Sequence, residues 1–389
     1  MLVPVAFSCN AVAADAANII PFAAYSNYVW LSVRVNGSRP VQFTLDSGAS
    51  ASVISQRVAD EQGLGAKGQR RESNLGTGES APNVSRAANV TLNLNGIEVR
   101  KKEISVVSMD GLESAIGHRI DGILGAEIFR RYVVEIDYAN SRITLFDPGD
   151  YKYDGAGRAL PLEIRNDRPF LRATVALQGA PPVEGLFIID SGAAGTLSLY
   201  SPFVRKHQML SPIQKTVPHF VHGIAGQAPE MLARADSLRL GPLVIARPDV
   251  ALSIATRGST ADSSYDGAIG AEVLRRFKVI FDYSRKHVIL ERTSAGDEPF
   301  DVDMSGGSLV AAGPDFKVFT VEHVLENSPM FESGVRDGDV ITAIDGRPAS
   351  EYTLDQLRQM LKKEGQEYRL SVERGGQKLQ LKIMLRKLI

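Results

Sequence analysis

The chain alternates apolar and polar residues in short runs that stop at turn signals, the pattern of half-buried strands. Val29-Trp30-Leu31-Ser32-Val33-Arg34-Val35 stops at Asn36-Gly37, a hairpin signal, and residues 41–45 run back towards Asp46. Residues 170–177 alternate in the same way, Gly179-Ala180-Pro181-Pro182 turns the chain, and residues 186–189 run back towards Asp190. Further strands are expected at 89–94, 103–107, 133–138 and 142–146. One short helix is expected in each half, at 126–131 and 271–276, with Glu early and Arg-Arg late to suit the helix dipole.

The two halves are copies of one unit. IDGILGAEIFRRYVVEIDYANSRITLF (120–146) aligns without gaps to YDGAIGAEVLRRFKVIFDYSRKHVILE (265–291). Asp46-Ser47-Gly48-Ala49 likewise answers to Asp190-Ser191-Gly192-Ala193 at nearly the same spacing. A unit this long is a lobe, not a solenoid repeat. Recurrence of Arg130-Arg131 as Arg275-Arg276 points to a structural role in helix and sheet packing.

After Leu290 the pattern changes. Residues 293–299 read as a polar linker, and a third unit follows. It is expected to have strands at 308–311, 317–324, 340–344, 367–373 and 378–385. An amphipathic helix over 353–363 places Leu354, Leu357, Met360 and Leu361 on one face. The divisions are therefore a leader over 1–22, lobes over 23–150 and 151–293, and a third domain over 300–389.

Composition narrows the partners. Of 389 residues, 44% are hydrophobic and 23% charged, with a formal net charge of −1 and no block of like charge. Nucleic acid and anionic membrane are excluded as main partners, and no apolar run is long enough for a membrane span. The short apolar run 2–7 and Ala11-Val12-Ala13 suggest the remnant of an export signal, hence a periplasmic or secreted protein. Cys9 is the single cysteine, so no internal disulfide forms.

Each Asp-Ser-Gly-Ala places an acid at the end of an apolar strand. A carboxylate there is costly unless chemistry or hydrogen bonding holds it. Two such acids meeting across a pseudo-two-fold axis share a proton, so one can act as general base on a water while the other donates to a carbonyl oxygen. Each glycine lets the chain turn back beside its acid, and each serine can cross to the other lobe's backbone.

With both loops in view, residues 25–291 resemble the aspartic proteases. Asp46-Ser47-Gly48 and Asp190-Ser191-Gly192 match the family's D-[ST]-G signature, while Ile123-Leu124-Gly125 and Ala268-Ile269-Gly270 match its second signature. Ala49 and Ala193 place the chain nearer the retroviral branch, which implies an optimum that is mildly acidic to near neutral. Both acids lie on one chain, so no dimer is required to build the site. The resemblance implies cleft-covering flaps at Gly76, Thr77 and Gly78 (within 75–79) and at Gly223, Ile224, Ala225 and Gly226. It implies no cofactor. His219 and His222 are too few for a metal site and read as solvated.

The third unit resembles a circularly permuted PDZ domain, on Gly307-Ser308-Leu309-Val310, Ser328-Pro329-Met330 and the run 334–346. That resemblance implies capture of a C-terminal peptide, with a backbone nest at Gly307, Ser308 and Leu309. The expected fold is mainly β, with two pseudo-symmetric acid-protease barrel lobes and an α/β PDZ domain. The expected function is an aspartic endopeptidase acting on protein or peptide substrates, its PDZ domain recruiting or regulating. The alternative is an inactive or latent peptide-binding scaffold of the same fold.

Overall fold

The computed structural model describes residues 18–72, 76–210 and 215–389. Cys9, Leu75 and most of the expected leader lie outside them. The chain is mainly β. One mixed sheet belongs to each lobe, a six-stranded sheet joins the lobes, and a fourth sheet forms the C-terminal unit.

The expected strands form with small changes of boundary. In lobe one, Tyr28–Val35 pairs antiparallel with Val41–Leu45, which lies parallel to Gly122–Leu124. In lobe two, Arg168–Leu177, Val183–Asp190 and Gly267–Gly270 repeat that arrangement. In both, the second strand is buried through its last residues (43–45 and 185–189), and the half-buried acid comes at its end.

The joining sheet sets the two lobes face to face. Val133–Asp137 pairs directly with Phe277–Asp282, so equivalent strands meet at its centre. Here the leader assignment needs correction. Residues 18–22 are not leader: Asn18–Pro21 is an edge strand of this sheet, paired with Arg142–Phe146. Ile20 and Phe22 bury on alternate positions, a pattern too short to stand out in the sequence.

The helices differ more from expectation. Ala126–Arg131 forms as expected and Ala271–Leu274 is shorter, but lobe one also carries Gln56–Glu61 and Asp110–Ile116, and lobe two Ser201–Lys206. The paired arginines have diverged. Arg130 and Arg131 are exposed, bonding Asp167 and the Glu98 carbonyl. Arg276 is fully buried, donating to the carbonyls of Ala295, Glu298 and Pro299 and lying 3.6 Å from the Phe300 ring centroid. It anchors the linker rather than the sheet.

In the C-terminal unit the strands run in the order Gly307–Ala312, Val318–Val324, Val340–Ile344, Glu367–Arg374, Gln377–Met384. Gly307–Ala312 is therefore an edge. The helix Leu354–Met360 lies beside it, started by a capping box between Thr353 and Gln356.

Candidate active site

Asp46 and Asp190 meet at the centre of the molecule. Their loops are tied by two reciprocal serine crossings. Ser47 Oγ donates to the Ile189 carbonyl (2.7 Å) and accepts from Ser191 N (3.0 Å). Ser191 Oγ donates to the Leu45 carbonyl (2.9 Å) and accepts from Ser47 N (3.0 Å). Both serines are fully buried, so every one of these groups would pay a desolvation cost without its partner.

Each acid is held by the turn that follows it. Asp46 Oδ1 accepts from the amides of Gly48 (2.7 Å) and Ala49 (2.9 Å), and Asp190 Oδ1 accepts from Gly192 N (2.9 Å). The glycines are required by approach across the axis. A Cβ on Gly48 would overlap the Asp190 carboxyl, and one on Gly192 the Asp46 carboxyl. The second-signature strands support the loops from behind: Leu45 pairs with Leu124, and Ile189 with Ile269.

Burial and proximity shift both acids upward. Asp46 is held well above the usual carboxylate range, first by desolvation and then by the charge of Asp190 and the hydrogen bond between them. Asp190 is also raised by desolvation, opposed by that hydrogen bond, by the amides of Gly192 and Ala193, and by the positive charge of Arg168. The pair therefore retains one proton where isolated carboxyls would have lost both.

The expected flap tips come together and interlock. Ala225 N donates to the Thr77 carbonyl (2.9 Å), and Ser80 N to the Ala225 carbonyl (2.9 Å). Gly78 is buried beneath this contact, and a Cβ on it would overlap the Ala225 backbone. Gly223 and Gly226 close the lobe-two hairpin, and a Cβ on Gly76 would meet the Ile224 side chain. Ile224 in turn packs on a lobe-one cluster that includes Tyr28, Trp30, Ala49 and Ile123.

Three features were not found by sequence reasoning. The repeat aspartates Asp121 and Asp266 accept from Gln42 N and Leu186 N, pinning the strands that lead to the acids. Tyr28 and Arg168 occupy equivalent places beside the two acids. The helix Asp110–Ile116 packs against the third domain's edge strand. Position in the repeat could have flagged the aspartates; nothing in the pattern marked the others.

One expectation is corrected. His222 is not solvated: its Nε2 lies 3.0 Å from Glu322 in the C-terminal domain, whereas His219 is exposed, its Nδ1 2.7 Å from Glu230. Hairpin residues that look exposed in sequence become contacts once the third domain packs there. The expected nest residues Gly307, Ser308 and Leu309 begin the third domain's edge strand. These residues pair with the next strand, Gly307 N donates to Ser305 Oγ, and the preceding amides of Ser305 and Gly306 donate to Asp303 Oδ1. Val310 continues the same strand. Among the described residues, no cluster of metal-ligating side chains occurs, and no helix is long and apolar enough to cross a membrane.

Comparison with known families agrees with this geometry. Residues 31–131 match the family model described as gag-polyprotein putative aspartyl protease, and residues 301–385 match the PDZ domain. A comparison with curated proteins found no match. The first match covers lobe one, acid loop and supporting strand included; the repeat extends the likeness to lobe two. The chain is an aspartyl-protease-type body fused to a C-terminal PDZ domain.

Proposed function

We propose that the chain is an aspartic endopeptidase that hydrolyses internal bonds of extended polypeptides. The observation that carries this is the reciprocal serine tie, which holds two carboxyls in one site where burial raises both. In this reading ionised Asp190 takes a proton from water as its oxygen attacks the peptide carbonyl carbon. Protonated Asp46 donates a hydrogen bond to the carbonyl oxygen and stabilises the developing charge. As the tetrahedral intermediate collapses, the C–N bond breaks, and the leaving nitrogen takes the proton from Asp190. The deciding experiment is digestion of a mixed peptide library by wild type and by Asp46→Asn. Wild-type cleavage that drops on the order of 10³-fold or more in the variant supports the reading. No cleavage by wild type from pH 3 to 8, or equal cleavage by the variant, overturns it.

In the same reading the PDZ domain regulates rather than recruits. PDZ domains take peptides by adding a strand to an exposed edge. Here the edge strand's carbonyls are already used: Ala311 O accepts from Ser114 Oγ (2.8 Å), and Leu309 O accepts from Arg358 Nη2 (2.7 Å). The same Arg358 Nη2 donates to the Ala115 carbonyl, so the lobe-one helix Asp110–Ile116 covers the edge. Glu322, on the neighbouring strand, accepts from Gln227 Nε2 and lies 3.0 Å from His222 Nε2 at the base of the lobe-two flap tip. A peptide that displaced the helix would also loosen the flap. Paired substitution Arg358→Ala and Glu322→Gln should therefore raise the cleavage rate several-fold for all substrates. A fall confined to substrates with a docking C-terminus would favour recruitment instead.

A further inference from the structure

The two acids stand opposite different residues, and this difference bears on which peptides the site accepts. In lobe two the strand register pairs Phe170 with Ile188; two residues further along the same register, Arg168 stands across from Asp190. In lobe one Trp30 pairs with Thr44, and the same step sets Tyr28 across from Asp46. Residues two apart on a strand share a face, so Arg168 shares one with Phe170, and Asp190 shares one with Ile188. That face carries a buried cluster of Phe170, Ile188, Tyr200, Tyr265 and Ala268. Arg168 lies at its rim, 5.6 Å from the Phe170 ring centroid and 5.4 Å from that of Tyr265.

The guanidinium is held by these rings but not neutralised. Its Nε is buried with no hydrogen-bond partner, and among the described residues the side chain makes no ion pair. Its neighbours do pair: Arg165 bonds Glu163, and Asp167 bonds Arg130. An arginine fixed on two rings, with donors to spare, is arranged to receive a carboxylate. Asp190 does not fill that role, because its carboxyl is engaged with Asp46 and the turn amides. The lobe-one counterpart is an uncharged phenol within an apolar wall.

We propose that Arg168 selects substrates carrying an Asp or Glu side chain at the position that lies over lobe two beside the scissile bond, while the lobe-one side takes an apolar residue. This rests on the endopeptidase reading above, and the test separates the two. Wild type, Arg168→Met and Arg168→Glu are compared on a peptide library and on matched peptides with Glu or Gln at the selected position. A charge-assisted pairing predicts a Glu-over-Gln preference in kcat/KM of about tenfold or more for wild type. Arg168→Met should bring that ratio close to one, and Arg168→Glu should turn the preference towards Lys and Arg. Binding of uncleavable reduced-amide versions of the same peptides reads the subsite without turnover. Glu-selective binding without cleavage would sustain the role of Arg168 while removing the endopeptidase reading. A wild type indifferent to Glu and Gln in both assays overturns the proposal. So does an Arg168→Met variant that keeps the preference. A preference seen only for a free C-terminal carboxylate, and not for an internal Glu, also overturns it.

Discussion

Lobe one and lobe two share the acid loop, the crossing serine and the supporting strand, but differ in nearly everything those parts face. Beside the acids stand Tyr28 in one lobe and Arg168 in the other. Lobe one spends the stretch between its last barrel strands on the helix Asp110–Ile116, which meets the PDZ edge. The corresponding stretch of lobe two holds only the short turn Ser259–Ala261. Arg276 is buried and anchors the linker, while Arg131, its equivalent, lies exposed. The difference separates two kinds of constraint. Chemistry at the axis needs both halves alike; away from it each lobe makes its own contacts, lobe one through the helix on the PDZ edge strand and lobe two through the hairpin beside Glu322, and there the copies are free to diverge.

The largest effect expected from that symmetry falls on the serines. Ser47→Ala removes a buried hydroxyl that both donates and accepts, leaving the Ile189 carbonyl and the Ser191 amide unpaired. Ser191→Ala does the same to Leu45 and Ser47. Each should cost about 2–3 kcal/mol in denaturant unfolding, and the two costs should agree closely. If one proves near neutral, the tie is not the symmetric element described above, and the lobes are held instead by the joining sheet.

Much of this was readable from the sequence, and the parts that were not have physical reasons. Asp46 and Asp190 could be found because their signature repeats, and repetition is visible without a structure. The strand pairs were legible from period-two alternation closed by Asn36-Gly37 and Gly179–Pro182 turns. Arg168 and Tyr28 were not, because their meaning lies in register with the acids, and register across five-residue connections depends on loop geometry. The helix Asp110–Ile116 contains Gly111 and spans two turns, too short for propensity to declare it. Its stability comes from packing and from Glu113, which bonds Arg57 and the Ile120 amide. The leader boundary erred for a similar reason. Four residues of edge strand carry almost no pattern until their partner strand is known.

A smaller effect sharpens the comparison of the acids themselves. Both are raised above 3.8, the ordinary value, by burial, and Asp46 the more so because Asp190 lies against it. In the folded state the pair therefore holds a proton that the unfolded chain has already released. Its contribution to stability is full below about pH 4 and is lost as pH rises through the folded-state values. Asn cannot ionise, so Asp46→Asn and Asp190→Asn should each melt higher than wild type towards pH 8, with the gap closing towards pH 4. The gain should be greater for Asp46→Asn, since that carboxyl is shifted further, whereas amides and Arg168 already oppose the shift of Asp190. The same shifts place the activity window. Cleavage needs one proton on the pair, so it fails on the acid side when both carboxyls are protonated and on the alkaline side when both are ionised. With both values raised and no hydroxyl at Ala49 or Ala193 to favour the ionised form, kcat/KM should peak in mildly acidic to near-neutral solution. A peak well below pH 4, or variants whose melting advantage does not grow with pH, would mean that the acids are not packed against each other as the serine crossings require.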